Sequence, residues 1–299
     1  MERVLIVGSS GLLGLKTYKL FSKYYKTIGA DLKPIKDIDK SDFYQIDITN
    51  KANVLKLIKK ISPDVVILTA ALTAVDYCEN HQKEAWNVNV EGPRNVALAC
   101  QEEKSYLIYV STDFVFDGKK EKYSESDLPN PISYYGLTKL EGEKAIGELQ
   151  IKYAIARTSV LFGWNTKEQN TNYVTWIINK LQNNEPIDIV TTQVNTPTLA
   201  DNLAEALLMI VKKNQYDLFH ICGKECLNRY QFALKVADIF NLNKKLITPI
   251  EYFEQLAKRP NLSCLDTTKA STVLKIKLLT ISEALLLMKK QQEKIVNGE

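Results

Sequence analysis

Tyr135 and Lys139 stand four residues apart, and Ser111-Thr112-Asp113 closes an apolar run upstream of them. On a helix, an i, i+4 spacing puts a phenol and an ammonium on one face, one turn apart. An ammonium beside a phenol favours the phenolate, so it is expected to lower the Tyr135 pKa from about 10 toward neutrality. Tyr135 then exchanges a proton with a carbonyl or alcohol oxygen, while Thr112 donates a hydrogen bond to that oxygen. In the doublet Tyr134-Tyr135, only Tyr135 has a lysine four residues later. A second set, Gly8-Ser9-Ser10-Gly11-Leu12-Leu13-Gly14, follows the apolar run Val4–Val7 and opens a helical pattern. Glycines there allow a tight turn and let backbone approach a pyrophosphate, which the helix N-terminus favours through free N–H groups and its dipole. Gly8, Ser10, Gly11, Leu12, Leu13 and Gly14 are therefore candidate cofactor contacts. Asp31, 20 residues past Gly11, is placed to accept from both ribose hydroxyls. Its charge repels a 2′-phosphate, so it leans the site to NAD(H) over NADP(H), with Lys33 working against that preference. Asp47 and Ile48 are expected at the adenine, Ala70, Ala71 and Leu72 along the cofactor's middle, and Lys139 at the nicotinamide ribose.

These groups need a scaffold. Short apolar runs at Val4–Val7, Thr27–Ala30, Val65–Leu68, Leu107–Val110 and Ala154–Ala156 alternate with helical patterns through Phe21, around Val54–Ile61, Trp86–Cys100 and Tyr135–Leu149. Continuous apolar strands between helices indicate a parallel sheet covered on both faces, and right-handed crossovers make it an α/β, Rossmann-type doubly wound fold. Beyond Phe162 the rhythm loosens. Residues 1–160 are expected to form the dinucleotide-binding domain, and 161–299 a smaller substrate-binding lobe interleaved with late strands at Ile187–Val190 and Leu218–Ile221. Helices are predicted at Leu199–Lys213 and Asn228–Phe240, and the chain closes in a lysine-rich amphipathic helix, Ile281–Val296, read as a solvated edge helix.

Composition narrows the chemistry. The chain has 299 residues, 45% apolar and 25% charged, with 39 Lys+Arg against 35 Asp+Glu, a balance unlike a nucleic-acid binder's. Only Arg3, Arg94, Arg157, Arg229 and Arg259 are arginines. Two histidines, His81 and His220, supply neither a histidine-rich metal site nor a Ser-His-Asp triad. Five cysteines, none in a C-x-x-C pair, argue against a disulfide framework or zinc knuckle and for a reducing compartment. Cys222 and Cys226 read as buried small side chains rather than a metal clip. No run reaches the length of a membrane span, so a cytoplasmic protein without membrane or nucleic-acid partners is expected.

The glycine loop, Thr112 and Tyr135-x-x-x-Lys139, with Pro131 before the tyrosine, resemble the extended short-chain dehydrogenase/reductases. The strings Ala70-Ala71-Leu72-Thr73-Ala74-Val75-Asp76, Ser111-Thr112-Asp113-Phe114-Val115-Phe116-Asp117-Gly118, Tyr135 through Glu143, Arg157-Thr158-Ser159, Pro197-Thr198 and Arg259-Pro260-x-x-Ser263-x-Leu265-Asp266 resemble the dTDP-4-dehydrorhamnose reductase family over almost the whole chain. That resemblance implies NAD(P)H-dependent reduction of the C4 ketone of a dTDP-6-deoxy-4-keto-hexose by a homodimer paired through the Tyr135 helix. It implies substrate contacts from Thr73, Val75, Asp76, Thr112, Asp113, Phe114 and Gln193, while Arg259, before Pro260, reads as a two-pronged grip on the nucleotide diphosphate, with a surface ion pair as the alternative. Departures from the family pattern are Val160 in place of an aromatic platform, which Phe162 or Trp164 would have to replace, Thr192 before Gln193, and Lys16 where a magnesium-linked carboxylate is common. No metal is expected. The C-terminal strings also resemble the regulatory β subunit of methionine adenosyltransferase, so a non-catalytic dinucleotide-binding regulator is the alternative, together with a reductase or epimerase of another nucleotide sugar.

Overall fold

A computed structural model describes residues 2–252 and 254–297. Its centre is a seven-stranded, all-parallel sheet built from β1 (Arg3–Val7), β2 (Lys26–Asp31), β3 (Phe43–Gln45), β4 (Val65–Leu68), β5 (Tyr106–Thr112), β6 (Tyr153–Thr158) and β7 (Leu218–His220), in the order β7-β6-β5-β4-β1-β2-β3. Alternation along a strand explains the unbroken apolar runs. Val4 and Ile6 face one layer with Leu13, Phe21, Leu203 and Leu207, whereas Leu5 and Val7 face the other with Val54, Ile58 and Val96. Helices α1 (Leu12–Phe21) and α6 (Ala200–Lys212) cover the first face; α2 (Lys51–Ile61) and α3 (Gly92–Glu103) cover the second.

The chain winds outward from β1 to β3, then returns to lay β4 on the other side of β1. Connections leave β1 and β4 in opposite directions, so a crevice opens at their carboxyl ends, where such sheets bind ligands. The glycine loop follows β1 and the Ala70–Asp76 segment follows β4, so both border it. Helix α4 (Tyr134–Gly147) follows β5 and its connecting loop.

The second half divides its strands. Leu218–His220 joins the main sheet as β7, but Ile187–Val190 pairs in parallel with Ile247–Ile250 outside it. Around that pair lie α5 (Tyr173–Gln182), α7 (Arg229–Ile239) and α8 (Ile281–Asn297), with their own apolar core. Ile281, Ala284, Leu285 and Met288 of α8, spaced three and four residues apart, are buried in it, so the last helix spends its apolar face on the lobe.

The reading of the cysteines is overturned. Cys226 is disulfide-bonded to Cys264, 38 residues away, while Cys78, Cys100 and Cys222 are free and buried. The partners meet because Val194 pairs with both Asn228 and Leu262, drawing the two chain segments alongside each other. Cysteine count and spacing carry no information about that non-local meeting, so the case for a reducing compartment does not follow from them.

Candidate active site

The glycine loop is shaped by close backbone approach. A Cβ on Gly14 would lie 1.9 Å from the Gly8 carbonyl oxygen, so only glycine lets α1 start this close to the end of β1. Gly11, the N-cap of α1, has no capping side chain, and a Cβ there would meet nothing nearer than that same oxygen at 3.4 Å. Free helix N–H groups facing an open cradle fit a dinucleotide pyrophosphate. Leu13 is buried beneath the loop, Leu12 is half-buried toward Gly163, and the Gln169 side chain donates to the Ser10 carbonyl at 2.8 Å. Asp31 ends β2 with one oxygen accepting from Ser10 N–H at 2.9 Å and the other from Leu32 N–H at 2.7 Å. Burial raises its pKa and these N–H groups oppose the rise. Asp47 is exposed and caps Thr49, whereas Ile48 is buried against Gly92. Ala70 N–H donates to the Val7 carbonyl, which sets the segment after β4 against the glycine loop.

Leu72 is held by a residue that sequence patterning missed. Asn89 sits in a π-turn, Asn87–Glu91, inside what reads as one continuous helix. Its amide accepts from Leu72 N–H at 2.9 Å and donates to the Leu72 carbonyl at 3.0 Å and to Thr138 at 3.1 Å. A buried asparagine where a helix bulges is a mark of a positioned site.

Ser133 caps α4 by accepting from Gly136 N–H, and a Cβ on Gly136 would come within 2.1 Å of the Phe114 carbonyl. That contact presses Tyr135 against the end of β5. The Phe114 and Tyr135 rings meet edge to face, 5.6 Å apart, and the Thr112 hydroxyl lies beside the phenol. Thr112 donates to Asp113 Oδ1 at 3.2 Å and accepts from Phe114 N–H at 3.2 Å. Asp113 is buried, and its other oxygen accepts from Ser159 at 2.8 Å and Ser263 at 2.6 Å. Burial raises its pKa; those hydroxyls pull it down. Asp113 thus holds Thr112 from behind.

Tyr135 and Lys139 share the buried face of α4, as their spacing predicts, but the lysine does not depress the phenol. Its ammonium donates to the Val110 carbonyl at 2.9 Å and lies 4.1 Å over the Tyr109 ring. Burial pulls Lys139 down to about 7, partly offset by Glu143. Burial also pushes Tyr135 well above its ordinary value, with Thr112 opposing and Asp113 and Cys78 reinforcing the rise. The phenol therefore keeps its proton at neutral pH and is set up to donate it. Glu143, one turn beyond Lys139, forms a buried pair with Arg157, Nη2 to Oε2 at 2.6 Å, and accepts from Ser111.

Toward the lobe lies a cavity of about 540 Å³. Gln193, Arg229 and Arg259 reach it, with Tyr173 and Trp176 on one wall. Those two rings run nearly parallel, 6.2 Å apart. They form the aromatic wall that neither Phe162 nor Trp164 supplies: Phe162 is buried against Phe232, and Trp164 donates to the Met288 carbonyl. Arg259 gives both guanidinium nitrogens to Asp76, whereas Arg229 lies 4.8 Å over the Tyr173 ring and pairs with no carboxylate among the described residues. Arg229 was legible only as one of five scarce arginines. Thr73 is exposed at the crevice, and Val75 begins the short helix Val75–Asn80. Val160 holds φ at +42°, a costly conformation for a β-branched residue, with its carbonyl pinned by Thr198 N–H. Lys16 pairs with Asp201, and no cluster of three or more His, Cys, Asp or Glu that would hold a metal occurs among the described residues. His220 is buried, held down to about 3 by burial and by Arg157.

Comparison with known proteins adds relatives to this geometry. The family model described as RmlD substrate binding domain matches residues 1–293. A dTDP-4-dehydrorhamnose reductase of Aggregatibacter actinomycetemcomitans is 35% identical over 90% of this chain and 92% of its own length. The bovine methionine adenosyltransferase 2 subunit beta is 33% identical over 91% of this chain and 82% of its own. The crystal structure of a Bacillus anthracis dTDP-4-dehydrorhamnose reductase in complex with NADP superposes with a TM-score of 0.88 at 30% identity, covering 97% of this chain and 99% of that one.

Proposed function

Because the chain belongs to the RmlD substrate binding domain family, we propose that it reduces the C4 ketone of a dTDP-linked 6-deoxy-4-keto-hexose with NADH or NADPH. The observation that carries this reading is Tyr135, a buried phenol kept protonated beside Thr112, at the same carboxyl end of the sheet as the uncapped first turn of α1. Gly8, Ser10, Gly11, Leu12, Leu13 and Gly14 would hold the pyrophosphate, Asp31 the adenosine ribose, and Lys139 the nicotinamide ribose. Bound there, the dinucleotide supplies the hydride. Tyr135 donates the proton to the sugar oxygen, and Thr112, whose hydroxyl donates to Asp113, would turn that hydrogen to the same oxygen when the ketone binds. Asp31, fixed against the glycine loop, favours NADH.

The sugar nucleotide would occupy the cavity of about 540 Å³, with Arg229 as the cation for a diphosphate and Tyr173 and Trp176 as a wall for its base. Thr73, Val75, Asp76, Phe114, Gln193 and Arg259 would border the sugar. The chain is further proposed to be a homodimer in the cytoplasm, and light scattering on the purified protein tests the dimer. Consumption of NADH or NADPH in the presence of the keto sugar tests the activity. The similarity to methionine adenosyltransferase 2 subunit beta favours a second reading, a dinucleotide-binding regulator. No turnover with any keto sugar, together with stable association with a methionine adenosyltransferase catalytic chain, would select it.

A further inference from the structure

We propose that the Cys226–Cys264 bond is a thiol-exchange site that sets how firmly the lobe holds the substrate's nucleotide, an inference that rests on the nucleotide-sugar reading above. Each half-cystine neighbours a residue of the site, Cys226 on the cavity side and Cys264 on the Asp113 side. Cys226 stands three residues before Arg229, and Cys264 directly follows Ser263, whose hydroxyl supports Asp113 at 2.6 Å. The loop they close contains α7, the strand Ile247–Ile250, Gln255 and Arg259. Arg229, Gln255 and Arg259 line the cavity, whereas the glycine loop, Asp31 and Tyr135 lie outside the loop. Cutting the bond lengthens the free chain that must be ordered around the nucleotide while leaving the dinucleotide site tied as before.

Access is one-sided. Cys226 is exposed and Cys264 is fully buried, so an incoming thiolate reaches the Cys226 sulfur. The other three cysteines are buried, and burial raises their thiols, to about 11 for Cys78 and about 12 for Cys222, which leaves them unreactive. A thiolate of a small dithiol attacks Cys226 Sγ; the S–S bond breaks and its electron pair passes to Cys264 Sγ, which takes up a proton. The reagent's second thiolate then displaces Cys226, which is protonated in turn. The dithiol leaves as a cyclic disulfide, oxidised by two electrons as the cystine is reduced by two. Ser263 N–H donates to the Val194 carbonyl at 2.9 Å, a tie that does not pass through the sulfurs, so cleavage is expected to loosen the segment rather than unfold it.

The test uses the full-length protein before and after dithiothreitol treatment. Alkylation in denaturant, read by intact mass, is expected to label three cysteines before and five after, the difference being the bonded pair. Calorimetric titration with dTDP should show about five-fold weaker binding after reduction, with NADPH affinity unchanged, and Cys226→Ser should match the reduced protein and lose its response. Amide hydrogen exchange over residues 262–265 should quicken on reduction. Five labelled cysteines before treatment, or equal dTDP affinity and equal exchange in both states, would overturn the proposal. Binding of NADPH but of dTDP to neither form would instead overturn the nucleotide-sugar reading, and the exchange rate would still decide whether the bond stiffens the lobe.

Discussion

Asp76 and Arg259, 183 residues apart, meet in a two-pronged ion pair between the segment after β4 and the substrate lobe, at 3.1 and 2.8 Å. Arg259 is the first cause of Asp76's lowered pKa. Because that fork is spent on a protein carboxylate, the diphosphate of the proposed substrate is expected at Arg229. Arg229→Gln should raise KM for the sugar nucleotide by about 10- to 100-fold, more than Arg259→Gln does, with kcat changed less than KM. Steady-state kinetics of the two variants checks this, and equal effects would return the anchor to Arg259.

Tyr135→Phe removes one hydroxyl from a buried, well-packed ring. Turnover should fall by about 10²- to 10⁴-fold while dinucleotide affinity, measured by fluorescence titration, stays within a factor of about two. A variant that turns over normally would remove Tyr135 from the chemistry.

The pH dependence follows from Lys139. Its folded-state pKa is depressed, so its proton is lost as pH rises through about 7, long before an exposed lysine would release one. In the proposed reduction the active form keeps both the phenol's proton and the ammonium's, so kcat/KM should decline above about pH 7. The same shift makes the unfolded chain bind more protons than the native one between about 7 and 10.5, so this group's contribution to stability rises with pH across that window. Chemical denaturation at several pH values, compared with Lys139→Met, isolates it; a variant with the parent's pH profile would assign the limb to another group.

Asp31 and Gly11 separate two parts of dinucleotide recognition. Asp31→Ala should weaken NADH more than NADPH, because only the former relies on the carboxylate. Gly11→Ala has room in the fold, with its nearest neighbour at 3.4 Å, yet fills the cradle. It should melt within about 2 °C of the parent while losing dinucleotide affinity at least about ten-fold. Equal losses for NADH and NADPH in Asp31→Ala would leave cofactor preference to other contacts.

Much of this arrangement was legible in the chain. Val4–Val7 and Val65–Leu68 are strands at those bounds or within a residue of them, because buried parallel strands write themselves as apolar runs, and Ile187–Val190 is a strand at its bounds because its buried and exposed residues alternate. The i, i+4 spacing placed Tyr135 and Lys139 on one face. What local patterning does not carry is where a side chain's head group ends. The Lys139 ammonium is drawn to the Val110 carbonyl and the Tyr109 ring, and Arg259 finds Asp76 across the fold. Asn89 escaped notice because a π-turn breaks the helical period at that point, and Cys226 meets Cys264 only through pairings to Val194.

The most direct measurement follows the hydride itself. NADH carrying deuterium at the transferring position is incubated with the purified protein and a dTDP-4-keto-6-deoxyhexose, and the product sugar is examined by mass spectrometry and NMR. One deuterium at C4, formed by the parent and at least about 100-fold more slowly by Tyr135→Phe, is the predicted result. Cofactor bound but no deuterium in any sugar, or equal incorporation by both proteins, would contradict Tyr135-assisted ketone reduction.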